Sequence, residues 1–250
     1  MPIGPKRLPL MEHLNELRKR LAVIAVVVFV GSMILYFYAD QIYDIIMSPI
    51  LAVLGEEGAY VFGPFEGFGL RFKVSLYATL ILGSPIILWQ ILAFFLPALK
   101  PKEQRYVIPT FFAAVALFAA GVAFCYTTVL GTAFEWMLGQ TWDTVGQIAD
   151  ASKFFSGGTL LMLGFGIGFE LPIVVFYLVL FNIVPYAKLR ENWRVAYVSL
   201  MVVASIATPD WSPVTMGALF GALVALYEAS LLLARILLAK RIAEQKRLAS

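Results

Sequence analysis

Residues 154–181 read FFSGGTLLMLGFGIGFELPIVVFYLVLF, and this stretch decides the class of fold. It holds 28 residues with one acid, Glu170, and no base. A helix rises about 1.5 Å per residue and the hydrocarbon core of a bilayer is about 30 Å thick, so roughly 20 apolar residues are enough to cross it. The stretch therefore predicts a membrane-spanning helix.

The composition of the whole chain agrees with that prediction. Of 250 residues, 61% are hydrophobic and 14% are charged, and the mean hydropathy is +0.84. A soluble domain would carry roughly a quarter of its residues as Asp, Glu, Lys and Arg. The net charge of +3 does not predict a nucleic-acid partner, because the bases stand in short clusters between apolar runs.

Further apolar runs predict an all-α integral membrane protein with six spans in a single domain, 1–250. The fifth and sixth are predicted to be short, because only 13 apolar residues precede residue 208, and Glu228 interrupts the last run after 14. Residues 208–213 form a tight polar turn between them. The predicted spans are residues 21–38, 74–99, 107–134, 154–181, 195–207 and 214–234.

The distribution of basic residues predicts the orientation. Placing the N-terminus in the cytoplasm assigns 16 Lys and Arg residues to that side and only three, Arg71, Lys73 and Lys153, to the other. Bases are retained on the cytoplasmic side of membrane proteins. Both termini are therefore predicted to be cytoplasmic. The basic leader contains acids and lacks a cleavage pattern, so we interpret residues 21–38 as a retained span.

Two cytoplasmic segments carry acids. Residues 10–21 place leucines at helical spacing, which predicts an amphipathic helix on the membrane surface that turns into the first span. Glu16 and Arg20 stand one turn apart in it, an arrangement that a simple solvated surface helix would also show. In residues 94–105 two prolines stiffen the elbow that presents Glu103 to the same water.

Ionisable groups are rare inside the spans, and Glu170 and Glu228 are the acids found there. A carboxyl group at such a position marks a functional site by default, although a hydrogen bond to a neighbouring helix is the structural alternative. Nearby glycines predict close helix packing. They are Gly164, Gly166, Gly168, Gly217 and Gly221.

Four segments in the same order resemble the TatC family of the twin-arginine protein translocase. They are the leader EHLNELRKRL at 12–21, the elbow at 94–103, GFELP at 168–172 and TPD at 208–210. A fifth, outer segment at 62–68 resembles the family's Pro-x-Glu-x-Phe element. The resemblance covers nearly the whole chain, and it implies a multispanning receptor subunit in the bacterial inner membrane.

The resemblance also implies partners and site residues. The substrates would be folded proteins whose signal peptides carry paired arginines, and these peptides would bind at Glu16, Glu103, Arg18, Phe94 and Leu99. Guanidinium is planar and permanently charged, so carboxylates match it best. Single-span TatA and TatB type proteins, membrane lipid and further copies of the chain are the implied partners, without a cofactor. Partner-binding or structural roles fall to Pro49, Glu66, Thr208, Asp210 and Glu228, and Glu170 is the intramembrane polar residue.

Two other classes of function are weighed against the translocase. An ion- or proton-coupled small-molecule transporter with Glu170 as its coupling group is the alternative. An enzyme is not predicted, because the single histidine, His13, has neither a nucleophile nor metal ligands near it in sequence. The single cysteine, Cys125, is interpreted as a small buried hydrophobe.

The short fifth span has a consequence for the membrane. Thirteen residues cover about 20 Å as a helix, less than the hydrocarbon core. We therefore expect thinned lipid beside the last two spans, with the Asp210 turn drawn below the outer surface.

Overall fold

The structure is a computed structural model that describes residues 10–55, 58–95, 104–140, 148–181, 183–208 and 212–237. Its regular elements in these ranges are helices. In chain order they are α1 Leu10–Leu35, α2 Ala39–Leu54, α3 Pro64–Leu82, α4 Ser84–Phe95, α5 Val107–Phe124, α6 Leu130–Leu138, α7 Ala151–Gly168, α8 Leu171–Leu180, α9 Tyr186–Glu191, α10 Trp193–Ala207 and α11 Pro213–Leu237.

Four apolar helical segments are long enough to cross a membrane, and a fifth is obtained if α3 and α4 count as one bent span. The four are Leu14–Leu54, Gln104–Leu138, Ala151–Leu180 and Pro213–Ile236. Helix α10 is apolar but shorter, with 15 residues. The prediction of an all-helical membrane protein is confirmed. The count of six spans stays a prediction.

Contacts divide the chain into two compact units, and two of the three boundaries between them fall within α5 and α7. The first unit holds residues 1–116 and 148–159. In it α1 packs on α3 and α4, and α2 packs on α3. Its core contains Met47, Ile50, Val74 and Phe155, all at most 1% exposed.

The leader does not turn into the first span. Helix α1 runs unbroken from Leu10 to Leu35, so the prediction of a separate surface helix is wrong. No proline or glycine interrupts residues 10–30, and straight-chain residues fill the junction, so nothing breaks the ladder of hydrogen bonds. Glu16 and Arg20 therefore belong to the same rigid helix as the span.

The second span differs from its predicted limits of 74–99. Helices α3 and α4 meet at Gly83 with a bend of 54°, and α3 begins at Pro64, well before residue 74. Pro85 lacks an N–H and stands at the second position of α4, where this loss costs no helical bond. Residues 96–99 lie outside the described ranges.

The second unit holds residues 117–147 and 160–250. In it α11 packs on α8, α10 and α6, around a core that includes Phe165, Leu180, Leu219 and Leu223. Helix α11 has 25 residues, so the prediction of a short sixth helix is wrong. Glu228 does not end the helix, because its carboxylate is bound by Arg190 and Tyr197.

Glycines in the second unit are of two kinds. A Cβ on Gly164 would lie 2.9 Å from the Ala207 carbonyl oxygen, and one on Gly166 would lie 2.8 Å from the Phe118 ring. Gly168 is similarly close to Leu219 and Leu223. These contacts confirm the predicted packing. For Gly217 and Gly221 the prediction is wrong within the described part of this chain, where no atom lies within 4 Å of the added Cβ.

Candidate functional site

The leader end of α1 carries an acid and a base on one face. Glu16 and Arg20 are four residues apart, so their side chains meet on the same side of the helix. The Arg20 Nη2 atom lies 3.4 Å from Glu16 Oε1, and the two side chains are 31% and 21% exposed. This partial burial removes some of the solvent that would otherwise screen the carboxylate.

A residue on the neighbouring helix completes this group. Gln90 lies in α4, and its Oε1 accepts a hydrogen bond of 3.0 Å from Arg20 Nη1. The packing of α1 on α4 brings together residues that are 70 positions apart in sequence. Sequence reasoning missed Gln90. The available signal was a long amide side chain in an otherwise apolar stretch, which needs a partner when it is placed among helices.

A cavity of about 630 Å³ opens beside this group. Its polar lining contains a carboxylate and two amides, which accept hydrogen bonds from a cation, and two bases. The lining residues are Asn15, Glu16, Lys19, Arg20, Val23 and Gln90. The cavity can therefore take up a charged group in contact with both acceptors and resident cations.

The other residues predicted for this site either do not line the cavity or lie outside the described residues. Arg18 is exposed on α1, and Phe94, near the end of α4, packs edge-on against Phe95 at 5.5 Å. Neither is among the described residues that line the cavity. Leu99 and Glu103 lie outside the described residues.

Glu170 occupies a break in the predicted fourth span. Helix α7 ends at Gly168 and α8 begins at Leu171, with Pro172 at its second position. The Glu170 Oε1 atom is buried, and no hydrogen-bond donor in the described part of the chain reaches it. Buried carboxyl oxygens are normally satisfied, so this unpaired atom is an exception within the described part of the chain.

Among the predicted outer residues, Glu66 has a structural role. Its Oε2 accepts the Phe62 backbone N–H at 2.8 Å, which fixes the entry of the chain into α3.

Pro49 lies inside α2, where it removes one helical hydrogen bond. Thr208 is buried and donates to the Ala204 carbonyl oxygen at 3.0 Å, closing the end of α10. Asp210 lies outside the described residues.

Glu228 joins three helices of the second unit. Its two oxygens accept hydrogen bonds from Arg190 of α9 at 2.8 Å and from the Tyr197 hydroxyl of α10 at 3.0 Å. Tyr227, the preceding residue, donates to the Leu189 carbonyl oxygen at 2.7 Å. The carboxylate on α11 therefore holds the short helix α9 beside the α10–α11 pair.

No metal centre is found in the part of the chain that the structure describes, where no group of three His, Cys, Asp or Glu side chains lies close enough to bind an ion. Cys125 is fully buried in a π-helical turn, Cys125–Val129, between α5 and α6.

The long apolar helices, a helix break at Glu170 and a cavity at the leader define a multispanning α-helical membrane protein. The model of the TatC family, described as Sec-independent protein translocase protein (TatC), matches residues 12–221. The chain belongs to the TatC family and is a component of a twin-arginine type protein transport system.

Similar proteins support that assignment along nearly the full length. A TatC from Deinococcus radiodurans is 34% identical over 232 residues, covering 91% of this chain and 86% of that protein. A TatC from Carboxydothermus hydrogenoformans is 30% identical and covers 97% and 99% of the two chains. The TatC of Aquifex aeolicus is 32% identical over 96% and 100%.

Solved structures of the same family share the fold. A crystal structure of a twin-arginine translocase receptor, TatC, superimposes with a TM-score of 0.75 at 30% identity, covering 90% of this chain and 98% of that one. Membership in a translocase family does not favour the small-molecule transporter that the sequence left open.

Proposed function

We propose that this chain is the receptor subunit of its translocase and binds the paired arginines of signal peptides at the cavity beside Glu16. One observation carries the proposal. Glu16 and Gln90 already accept hydrogen bonds from a guanidinium group, that of Arg20, at 3.4 and 3.0 Å. The Glu16 carboxylate, which already accepts a hydrogen bond from an internal guanidinium, has the chemistry needed to bind one supplied by a peptide.

A second acid completes the proposed site. Two adjacent arginines bring two guanidinium groups, and one carboxylate can pair fully with only one of them. Glu103 is the acid that the family resemblance assigns to the second arginine, with Arg18, Phe94 and Leu99 around the peptide. Near the headgroups the effective dielectric constant lies below that of water, so these pairs are worth more than exposed ion pairs.

The proposed topology places this site in the cytoplasm of a bacterial inner membrane. Sixteen of the 19 basic residues fall on the side that carries Glu16 when six spans are drawn with both termini inside. Signal peptides are made in the cytoplasm, so a receptor must present its acids there. This orientation supports the assignment of the site to the receiving side of the membrane.

We further propose that TatA and TatB type single-span proteins and additional copies of this chain complete the translocase. A chain of 250 residues is too small to enclose a folded protein. Glu170, a carboxyl group within a long apolar helical segment, is the intramembrane position that we expect to have a functional role in this complex. Partner proteins of this kind would supply the rest of the route by which a folded protein crosses the membrane.

Binding of a synthetic twin-arginine peptide to the detergent-solubilised chain tests the proposal. We expect saturable binding that is lost when both arginines are replaced by lysine, because an ammonium cannot form the bidentate pair. Glu16→Ala and Glu103→Ala should each weaken binding by about tenfold, the equivalent of one charge-assisted hydrogen bond. Glu16→Gln should weaken it nearly as much as alanine, since the amide keeps shape but loses charge.

The matched control is Asp44→Ala, which removes an exposed acid from α2. It should leave the affinity unchanged, and all variants should insert and purify like the wild type. Unchanged affinity in the Glu16→Ala, Glu103→Ala double variant would refute the assignment of the site.

A further inference from the structure

The acceptors beside the cavity are already in use. Arg20 Nη1 donates to Gln90 Oε1 at 3.0 Å, and Nη2 lies 3.4 Å from Glu16 Oε1. We infer that Arg20 competes with the incoming arginine for Glu16, and that Gln90 sets the strength of this competition by holding Arg20 away from the carboxylate. This inference rests on the proposed function and names two residues that tune the affinity of its site.

The distances show how loosely Arg20 holds Glu16. Charge-assisted N–H···O hydrogen bonds are usually about 2.7–2.9 Å long. An example within the first unit is Arg71, whose Nη2 lies 2.8 Å from both carboxylate oxygens of Asp40. The Arg20–Glu16 contact is longer by 0.6 Å and uses one carboxylate oxygen. Glu16 is thus only weakly engaged by its own base.

Gln90 accounts for that weak engagement. A guanidinium has a fixed planar shape, so a hydrogen bond from Nη1 to an acceptor on α4 limits how closely Nη2 can approach a carboxylate on α1. Removal of the Gln90 acceptor would leave Glu16 as the nearest acceptor for Arg20. The two side chains lie one turn apart on α1, so a full pair between them is sterically available.

If Arg20 and the peptide compete for Glu16, substitutions of Arg20 and Gln90 should change the peptide affinity in opposite directions. Arg20→Met removes the competing charge and keeps an unbranched apolar stem, so the twin-arginine peptide should bind about two- to fivefold more tightly, the range expected for one partly exposed ion pair. Gln90→Met keeps the length of the side chain but removes its acceptor. It frees Arg20 to pair with Glu16 and should weaken peptide binding by a similar factor.

The double variant separates an indirect role of Gln90 from a direct one. If Gln90 acts through Arg20, adding Gln90→Met to Arg20→Met changes the affinity no further. If Gln90 binds the peptide itself, the double variant loses affinity relative to Arg20→Met, and the positioning role is refuted.

Lys19→Met is the matched electrostatic control. Lys19 lines the same cavity and makes no hydrogen bond to the described residues. Its removal takes away the same charge without freeing an acceptor, so it should tighten binding less than Arg20→Met. Equal gains from both variants would show a general charge effect and would overturn the inference.

A readout without peptide distinguishes this inference from the proposed function. Water-soluble carbodiimide and glycine amide modify accessible carboxylates, and mass spectrometry locates the product at Glu16. Arg20→Met should raise and Gln90→Met should lower the labelling rate several-fold. These two labelling shifts without any peptide binding would refute the proposed function while preserving the competition. Peptide binding by the wild type with unchanged labelling in both variants would refute the competition alone.

Discussion

Asp150 shows how a single carboxylate organises the start of α7. Its Oδ1 accepts the Lys153 backbone N–H at 3.1 Å, and its Oδ2 lies 3.1 Å from the Lys153 ammonium. The backbone on both sides pairs with Tyr60, which donates to the Ala149 carbonyl oxygen and accepts from the Ala151 N–H. One residue therefore caps a helix at the point where the segments around Tyr60 and Asp150 join.

The same contacts determine how Asp150 titrates. Partial burial would raise the pKa of its carboxyl group, but hydrogen bonds from Lys153 and Ser152 and the Lys153 charge outweigh burial, so the pKa lies below its usual value. A carboxylate with a lowered pKa in the folded state stabilises that state above its unfolded pKa of about 3.9. This contribution disappears as the pH falls through the folded value.

We predict that Asp150→Ala lowers the free energy of unfolding by about 0.5–2 kcal/mol, the usual cost of a lost N-cap. Asp150→Asn should cost less, because asparagine keeps the cap and loses the charge. Thermal unfolding in detergent measures both. The difference between wild type and Asp150→Asn should be present at pH 7 and should shrink below about pH 4. If the difference in stability between wild type and Asp150→Asn does not change with pH, the predicted contribution of the Asp150 charge is wrong.

Residue-scale predictability differs within the candidate site. The spacing of Glu16 and Arg20 predicted their contact from the leader itself, and the resemblance of the leader to the TatC family implied a binding role for Glu16. Gln90 could not be identified in this way, because its partner is 70 residues away and the contact exists only after α1 packs on α4. Local spacing reveals pairs on one helix, whereas pairs between helices depend on packing.

At the scale of elements, glycines decide how closely α5 approaches α7. A Cβ on Gly121 would lie 2.6 Å from the Phe165 carbonyl oxygen and 2.8 Å from the Phe169 ring. The Phe124 ring also packs at a tilt against Phe165 and Phe169, at centroid distances of 5.9 and 5.8 Å. Because the first of these obstacles is backbone, it cannot move away by changing a rotamer.

We predict that Gly121→Ala destabilises the second unit by about 1–3 kcal/mol through overpacking. Gly221→Ala is the matched control, since no described atom lies within 4 Å of its Cβ position and alanine favours a helix by up to about 1 kcal/mol. Thermal unfolding of both variants should give shifts of opposite sign or a shift for Gly121 alone. An equal loss of stability in both would refute the packing argument.

At the scale of the whole molecule, the lengths of α10 and α11 differ in how well they match the thickness of the bilayer. Helix α11 has 22 residues from Pro213 to the residue before Arg235, about 33 Å, which matches the hydrocarbon core. Helix α10 has 15 residues, about 22 Å. In the proposed orientation α11 by itself is long enough to reach the outer side of the membrane. The length that α10 lacks is therefore missing at its inner end. The expected thinning at the Asp210 turn loses its basis.

The ion pair of the second unit lies at that inner end. Glu228 is 15 residues after Pro213, which is about 22 Å along α11. It therefore lies about 10 Å closer to the membrane centre than Arg235 does. Charged groups at such a depth pair with each other or face water. The Arg190–Glu228 contact of 2.8 Å satisfies the first condition. Local thinning of the inner leaflet would satisfy the second.

We predict that Val195→Cys, in a Cys125→Ala background, reacts with a water-soluble maleimide from the cytoplasmic side. Val195 is apolar and 65% exposed in the first turn of α10. Val30→Cys, 47% exposed within α1, is the control and should stay inert. Labelling should be measured in bilayers of two acyl-chain lengths. A Val195→Cys variant as unreactive as the control in both would show that hydrocarbon covers the short helix.

The membrane class and the helical fold could be predicted from the sequence alone, because apolar runs and charged clusters are local properties that each segment carries. The TatC family was recognised from the resemblance of the segments at 12–21, 94–103, 168–172 and 208–210 to that family. The sequence also identified Glu16, Glu170 and Glu228 as unusual positions, since acids near or within apolar runs are visible without neighbours. Tertiary structure decided the rest. The continuation of α11 past Glu228 and the pairing of Arg20 with Gln90 depend on which helices meet. Those meetings are set by packing between residues far apart in the chain, and no local pattern encodes them.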